Sequence, residues 1–291
     1  MENDPLEALQ KFSSFTVAHP QFSSAMDIIN DAIDTTKSRN EPSSVLLLGQ
    51  AGTGKTRICD ILMAQNGGDR IVELEDSITY VKPVICCPVP PLASIKSLVE
   101  KILLKLGSSK NNQVLGRLEQ RLFALLESCQ TLIIILDEWQ HLTSRGAEPT
   151  RTATRNWVKV LTNEFHGTVI LSGTPNSEPI VDDDEQLAGR FPFRAYLEPF
   201  SVNSAEQAQI YFSLLEAFSR EIAHCMPFHE SPALTDERIA FSLYAFCAGN
   251  LRILRLLLHA ALKMAILRDE GTFLISDLAS ATVRINGGRK N

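Results

Sequence analysis

Short, uninterrupted apolar runs mark the chain up to Pro199: Val45 to Leu48, Val84 to Cys87, Leu132 to Leu136, Thr168 to Ser172 and Ala195 to Leu197. Runs of this length without polar alternation predict five strands buried on both faces. Between them, apolar positions recur at helical spacing over Lys55 to Ala64, Leu92 to Leu106, Val114 to Cys129 and Thr152 to Phe165. Strands alternating with helices imply parallel pairing in a sheet covered on both sides. After Pro199 the strand pattern stops, and helical spacing continues near Ser204 to Ala223, Asp236 to Cys247, Leu251 to Leu267 and Ser276 to Val283. The start of the chain is helical with polar breaks and ends in the turn-like Asn40-Glu41-Pro42-Ser43-Ser44. The predicted division is an N-terminal helical arm over 1–40, an α/β core over 41–200, and a helical lid with a C-terminal tail over 201–291. No internal repeat or low-complexity tract is visible.

Composition narrows the function classes. At 291 residues the chain suggests about two domains and is too short for a two-lobed helicase motor. With 28 Lys+Arg against 34 Asp+Glu, the net charge of -6 excludes coating nucleic acid by bulk positive potential, while leaving room for a local basic stripe. The most apolar stretch, Leu251 to Leu267, is interrupted by Arg252, Arg255, His259 and Lys263, so no membrane span is expected. The N-terminal MENDPLEALQKFSSF lacks the basic and apolar regions of a signal peptide, and a cytoplasmic location is expected. The six cysteines form no C-x-x-C pair and have no zinc-like His spacing; they read as reduced core residues.

The strongest chemical signal is Gly49-Gln50-Ala51-Gly52-Thr53-Gly54-Lys55-Thr56, which matches G-x-x-x-x-G-K-[ST] between a predicted strand and a predicted helix. Glycines let successive backbone N–H groups face phosphates, and the helix N-terminus adds partial positive charge. Gly49, Gly52, Thr53, Gly54, Lys55 and Thr56 are therefore expected to bind a nucleotide. Lys55 would reach the β- and γ-phosphates, and the Thr56 hydroxyl would coordinate Mg²⁺.

A second signal is Leu132-Ile133-Ile134-Ile135-Leu136-Asp137-Glu138, a buried strand that delivers two carboxylates at its C-terminal end, where parallel sheets bind ligands. Asp137 would hold the magnesium hydration shell, and Glu138 would act as general base toward the attacking water. The sequence DEWQH invites comparison with D-E-x-H helicase motifs, but its His is one position too late. His141 reads as a loop residue or one set behind the site.

The next strand ends in Ser172-Gly173-Thr174, which places hydroxyls near Asp137, where Ser172 or Thr174 could orient the water. A plain Gly-Thr-Pro turn is the competing reading. Arg190 follows the acidic run Asp182-Asp183-Asp184-Glu185, a run most simply read as a solvated loop. An arginine at this point would project from one subunit into a neighbour's nucleotide and neutralise charge during phosphoryl transfer. Arg194 is the second candidate, and a surface arginine paired with nearby acids is the alternative. Arg252 lies in the first turn of a predicted helix, where a cation matches the dipole poorly. Contact with the γ-phosphate is its natural use, and an exposed surface arginine is the alternative.

Together these elements resemble an AAA+ ATPase over about residues 41–270. More narrowly, AHPQFSSAMDII, VLLLGQAGTGKT, LIIILDEWQHL, ILSGTP and DEQLAGRFPF resemble the TniB/TnsC family of transposition ATPases. The resemblance implies ATP-dependent assembly into a homo-oligomeric ring or helical filament on double-stranded target DNA, without sequence specificity. It implies recruitment of a transposase and a target-selection adaptor, with hydrolysis driving disassembly. By position, Lys55, Thr56, Asp137, Glu138, Ser172 or Thr174, Arg190 and Arg252 take the ATPase roles, with ATP and Mg²⁺ as cofactors and a slow, regulatory turnover.

The resemblance also points to a DNA-tracking surface on the helices between the second and third predicted strands. There Lys101 and Lys105 fall together outside the apolar stripe, Lys96 flanks it, and Lys110, Arg117 and Arg121 follow. A solvated helix face is the competing reading, but an oligomer repeats a few basic groups into a continuous track. Two other functions share the ATPase residues: a replication initiator or helicase loader, and a signalling NTPase scaffold that does not touch DNA.

Overall fold

The computed structural model describes residues 5–39, 43–74, 77–91, 93–109, 113–142 and 148–287. The chain folds into two compact units, residues 23–197 and residues 1–22 together with 198–291.

The first unit is built on a parallel sheet. Strands β1 (Val45–Gly49), β4 (Val84–Pro88), β5 (Ile133–Asp137), β6 (Thr168–Gly173) and β7 (Phe193–Leu197) pair in the order β4-β5-β6-β1-β7. Every residue of β1, β5 and β6 is buried, which is why these segments read as unbroken apolar runs. Helix α3 (Lys55–Gln65) follows β1; α4 (Ile95–Lys105) and α5 (Leu115–Ser128) separate β4 from β5; α6 (Glu148–Glu164) leads into β6; and the short α7 (Glu178–Asp182) and α8 (Glu185–Ala188) lie between β6 and β7. Leu98, Val99, Ile102, Leu118, Leu122 and Leu126 from α4 and α5 pack with Ile134, Leu136 and Leu171 of the sheet in one core.

The predicted elements recur within a few residues, with two differences. Helix α4 begins at Ile95 rather than Leu92, because Ser94 caps it: the Ser94 hydroxyl accepts from Ser97 N, and Ser97 Oγ accepts from Ser94 N. Between α3 and β4 the chain also forms an antiparallel hairpin of β2 (Arg70–Leu74) and β3 (Ser77–Val81), which the apolar pattern did not reveal.

The N-terminal segment forms two helices, α1 (Pro5–Ser14) and α2 (Pro20–Arg39). Near the end of α2, Thr36 Oγ1 accepts from Ser43 N at 2.9 Å and from Thr168 Oγ1 at 3.1 Å, tying the helix to the start of β6.

The second unit is helical: α1 with α9 (Ala205–Cys225), α10 (Glu237–Cys247), α11 (Leu251–Arg268) and α12 (Ile275–Gly287). Ala8, Leu9 and Phe12 of α1 join Tyr211, Leu215, Phe218, Leu257, Leu258 and Leu262 in its core. Arg255 closes the C-terminal end of α1 by donating to the carbonyls of Phe12, Ser13 and Phe15. Gly249 is required where α10 turns into α11: its φ is 73°, and a Cβ would stand 1.8 Å from the Phe200 carbonyl oxygen. No single helix among the described residues is long and apolar enough to cross a membrane.

His19 is 5% exposed, its ring lying 5.9 Å from Phe22 and 4.8 Å from Phe200. Burial lowers its pKa from 6.5 to about 4. The folded chain therefore keeps His19 neutral in a range where the unfolded chain protonates it, so its contribution to stability is present above pH 6.5 and is lost as pH falls toward 4. Between pH 7.5 and pH 5 the loss amounts to about 2 kcal/mol. Urea unfolding of the native chain and of His19→Phe at both pH values checks this: the variant should lose about 2 kcal/mol less, and equal losses would refute the assignment.

Candidate active site

Strand β1 ends at Gly49, where the chain turns into the glycine-rich loop. Gly49 lies against β7 and the loop itself, since a Cβ would meet the Leu197 carbonyl oxygen at 2.5 Å and Thr53 Oγ1 at 2.6 Å. Gly52 and Gly54 adopt φ values of 85° and 110°, a left-handed geometry that side chains oppose and glycine tolerates. Gly54 is the N-cap of α3 and supplies no side chain to that helix end, and the first turn carries no acidic residue. The loop thus turns a helix N-terminus toward an anion without a competing carboxylate. Lys55 is buried, and its Nζ donates to the carbonyls of Gly49 at 2.7 Å and Gln50 at 3.0 Å. Thr56 is exposed on the first turn of α3.

Asp137 ends β5 and is 7% exposed. In the β5–β6 register it lies opposite Ser172, whose Oγ donates to Asp137 Oδ1 at 2.6 Å. The same oxygen accepts from Glu138 N at 3.0 Å. Of the two expected hydroxyls, the structure brings Ser172 to Asp137; Thr174 instead lies past the strand, its carbonyl accepting from Ser177 N and Ser177 Oγ. The Asp137 carboxylate and the Thr56 hydroxyl are hard oxygen donors of the kind Mg²⁺ takes, and the glycine loop and Lys55 fit a nucleotide's phosphates.

Glu138 has a φ of 55°, an unfavourable backbone for a residue with a side chain. The turn redirects the chain into a short 3₁₀ segment, Trp139–Leu142, in which Trp139 is fully buried. It also lets Gln140 Nε2 donate to Glu138 Oε2 at 2.5 Å. Nothing in the sequence marks Gln140 beyond its being a polar residue two positions after the carboxylate pair. His141 Nδ1 lies 2.8 Å from the Val89 carbonyl oxygen, joining this segment to the end of β4.

Arg190 and Arg194 differ in their partners. Arg194 forms ion pairs with Asp182 at 2.7 Å and Glu178 at 3.7 Å. Arg190 donates to Asn163 Oδ1 at 2.9 and 3.3 Å and to the Gln186 carbonyl at 2.7 Å, all neutral acceptors. Its carbonyl accepts from Ser44 N at 3.1 Å, just before β1, which places Arg190 at the opposite end of β1 from the phosphate loop. Five residues of strand separate the two by about 16 Å.

The acidic run is not a freely solvated loop. Beyond the Asp182–Arg194 pair, Asp183 meets Arg155 at 3.4 Å and Asp184 meets Lys159 at 2.7 Å. Asp184 also caps a short helix through Leu187 N, and Lys159 holds its carboxyl below the usual range. The run acts as a seam because basic residues of α6 and β7 face it. Arg252 is exposed in the first turn of α11, where Asn250 is the N-cap.

The basic residues on α4 and α5 are unequal. Lys105 and Arg117 are exposed, Lys96 pairs with Glu100 at 4.0 Å, and Lys101 Nζ donates to the Pro88 carbonyl at 2.5 Å. Arg121 is half-buried and lines a cavity with Thr79, Tyr80, Ser108 and Ser128. Lys110 lies outside the described residues.

The sequence matches the family model described as Bacterial TniB protein over residues 10–201. A search among curated proteins gives no match. Among solved structures, the fold is similar to the Aeropyrum pernix ORC1 protein in complex with DNA, at TM-score 0.65 and 16% identity, over 96% of this chain and 69% of that one. It is similar to Cdc6p from Pyrobaculum aerophilum, at TM-score 0.64 and 12% identity, over 92% of this chain and 69% of that one. Domain III of the Thermotoga maritima replication initiation protein DnaA matches at TM-score 0.54 and 18% identity, over 93% of this chain and 94% of that one. At these identities the likeness concerns the fold, a five-stranded parallel AAA+ core with C-terminal helices.

Removing the Ser172 hydroxyl leaves a nearly buried carboxylate short of a donor, so Ser172→Ala should lower unfolding stability by about 1–3 kcal/mol. Thr174→Ala should stay within about 0.5 kcal/mol of the native chain. Denaturant titration of the two variants checks that Ser172, and not Thr174, holds the Asp137 carboxylate.

Proposed function

The chain belongs to the TniB family and is an AAA+ ATPase by fold, and on that basis we propose that it regulates DNA transposition by assembling on target DNA under the control of ATP. The observation that carries the ATPase part is a phosphate loop with left-handed glycines in the same sheet as Asp137 and Glu138, at the strands' C-terminal ends.

In this reading Lys55 and the loop N–H groups hold the β- and γ-phosphates, and Thr56 and Asp137 hold Mg²⁺, which supplies positive charge against the phosphate oxygens. Glu138 accepts a proton from the attacking water as the water oxygen bonds to the γ-phosphorus. The bond from that phosphorus to the bridging oxygen then breaks, giving ADP and phosphate. Ser172 acts one step back, by holding the Asp137 carboxylate. A slow turnover suits a switch in which ATP favours assembly and hydrolysis favours release.

Arg190 is the proposed arginine finger. Its place at the far end of β1 precludes action on its own loop, and its neutral partners leave its charge uncompensated, whereas Arg194 is held by two carboxylates. A neighbouring subunit is therefore the proposed recipient, which makes hydrolysis depend on assembly. Arg252 is assigned to the γ-phosphate on its poor match to the helix dipole and on the family resemblance.

For DNA, Lys105 and Arg117 are the leading contacts, with Lys96, Lys101, Lys110 and Arg121 as supporting candidates. Groups of this kind bind the phosphate backbone without reading sequence, and repetition around an oligomer would form the track. The similar ORC1 protein was solved in complex with DNA. Transposase and a target-selection adaptor are the proposed recruits.

Arg190→Ala should lower ATP hydrolysis by about 100-fold or more. Mixing it with Glu138→Gln, which lacks the base but assembles with ATP and supplies an intact Arg190, should restore turnover in the mixed assembly. No recovery with Arg190→Ala, together with recovery for Arg194→Ala, would move the finger to Arg194. Binding to random-sequence double-stranded DNA should require ATP and weaken steeply with salt, and Lys105→Ala with Arg117→Ala should flatten that salt dependence. Salt-insensitive, ATP-independent binding would overturn the DNA assignment.

A further inference from the structure

Glu138 is not left to find its own rotamer. Its φ of 55° turns the side chain out of line with β5, and the 3₁₀ segment that follows brings Gln140 back against it. Gln140 Nε2 donates to Glu138 Oε2 at 2.5 Å, which engages one carboxylate oxygen and leaves Oε1 to take a proton. Gln140 is confined in turn. It sits beside fully buried Trp139, and the end of β6 closes on it at Gly173, where a Cβ would stand 2.6 Å from Gln140 Oε1, 2.8 Å from Ser177 Oγ and 2.9 Å from Trp139 Cδ1. Gly173 has no positive φ, so the missing side chain is required by space rather than by backbone conformation.

We propose that Gln140 is a positioning residue for hydrolysis, holding the Glu138 carboxylate in one orientation through its amide donor, with Gly173 providing the space that Gln140 needs. The inference rests on the reading of Glu138 as the general base. A base fixed before water arrives needs no reorganisation during proton transfer, and small misplacements of such a group lower the rate many-fold. The arrangement also connects two strands: β5 supplies the base, while β6 supplies both Ser172 for Asp137 and Gly173 for Gln140.

The test compares single-turnover hydrolysis and ATP affinity in full-length Gln140→Met, Gln140→Ala, Gly173→Ala and the double variant Gln140→Ala with Gly173→Ala. Met nearly preserves the volume of Gln and removes the donor. Gln140→Met and Gln140→Ala should both hydrolyse ATP about 10-fold more slowly, with ATP affinity within 2-fold of the native chain, on the order expected for loss of one charge-assisted hydrogen bond. Gly173→Ala should slow hydrolysis similarly, and adding it to Gln140→Ala should give much less than the product of the two effects. Native turnover in Gln140→Met would overturn the proposal, and fully multiplicative losses in the double variant would overturn the part assigned to Gly173. Glu138→Gln separates the two readings. If it abolishes hydrolysis while Gln140→Met is fully active, the base assignment stands and the positioning role falls; if Glu138→Gln hydrolyses at the native rate, the base assignment falls with it.

Discussion

A carboxylate at the end of a wholly buried strand needs hydrogen-bond donors, and the site is arranged around that demand at Asp137. With 7% of its surface exposed, its Oδ1 takes donors from Ser172 Oγ and Glu138 N. One donor comes from the adjacent strand and one from the next residue in the chain. The β5–β6 register is therefore a chemical requirement as well as a packing one: slipping it by one residue would put Ser172 on the opposite face. Glu138 adopts its left-handed backbone directly beyond this point, and Gln140 reaches back to it. The order β4-β5-β6-β1-β7 separates β5 from β1 by one strand, so the carboxylate pair and the phosphate loop share the C-terminal edge of the sheet.

The opposite end of the sheet matters for another reason. Arg190 meets the start of β1 through its carbonyl, while its guanidinium rests on neutral acceptors. Asp182, Asp183 and Asp184 of the preceding run pair with Arg194, Arg155 and Lys159 rather than with Arg190. A cation without a counter-charge among the described residues, held where its own loop is out of reach, is the physical basis for proposing that neighbouring subunits complete one another's sites.

Features with a local cause were legible in the sequence. β1, β5 and β6 are buried on both faces, so their apolar runs had no alternation to misread. The G-x-x-x-x-G-K-T spacing marked the phosphate loop but not its backbone: Gly54 turns left-handed, and so does Gly52 at an unconstrained position, while Gly49 does not. The hairpin was harder to see: its five-residue strands flank Glu75-Asp76, which carries neither Gly nor Asn to announce a turn. What depended on residues distant in sequence was not legible. That Ser172 rather than Thr174 meets Asp137 follows from a pairing 35 positions apart. The contrast between Arg190 and Arg194 rests on Asn163, Glu178 and Asp182, whose positions only the folded chain defines. Gln140 escaped notice because its reach to Glu138 depends on one unusual φ angle.

Control of assembly by ATP bound at this loop can be read from the mass distribution of the full chain with double-stranded DNA by mass photometry, comparing ATP, ADP and the Glu138→Gln and Lys55→Ala variants. Large assemblies should form with ATP and persist in Glu138→Gln, and should be absent with ADP or in Lys55→Ala. The same distribution in all four conditions would contradict that control.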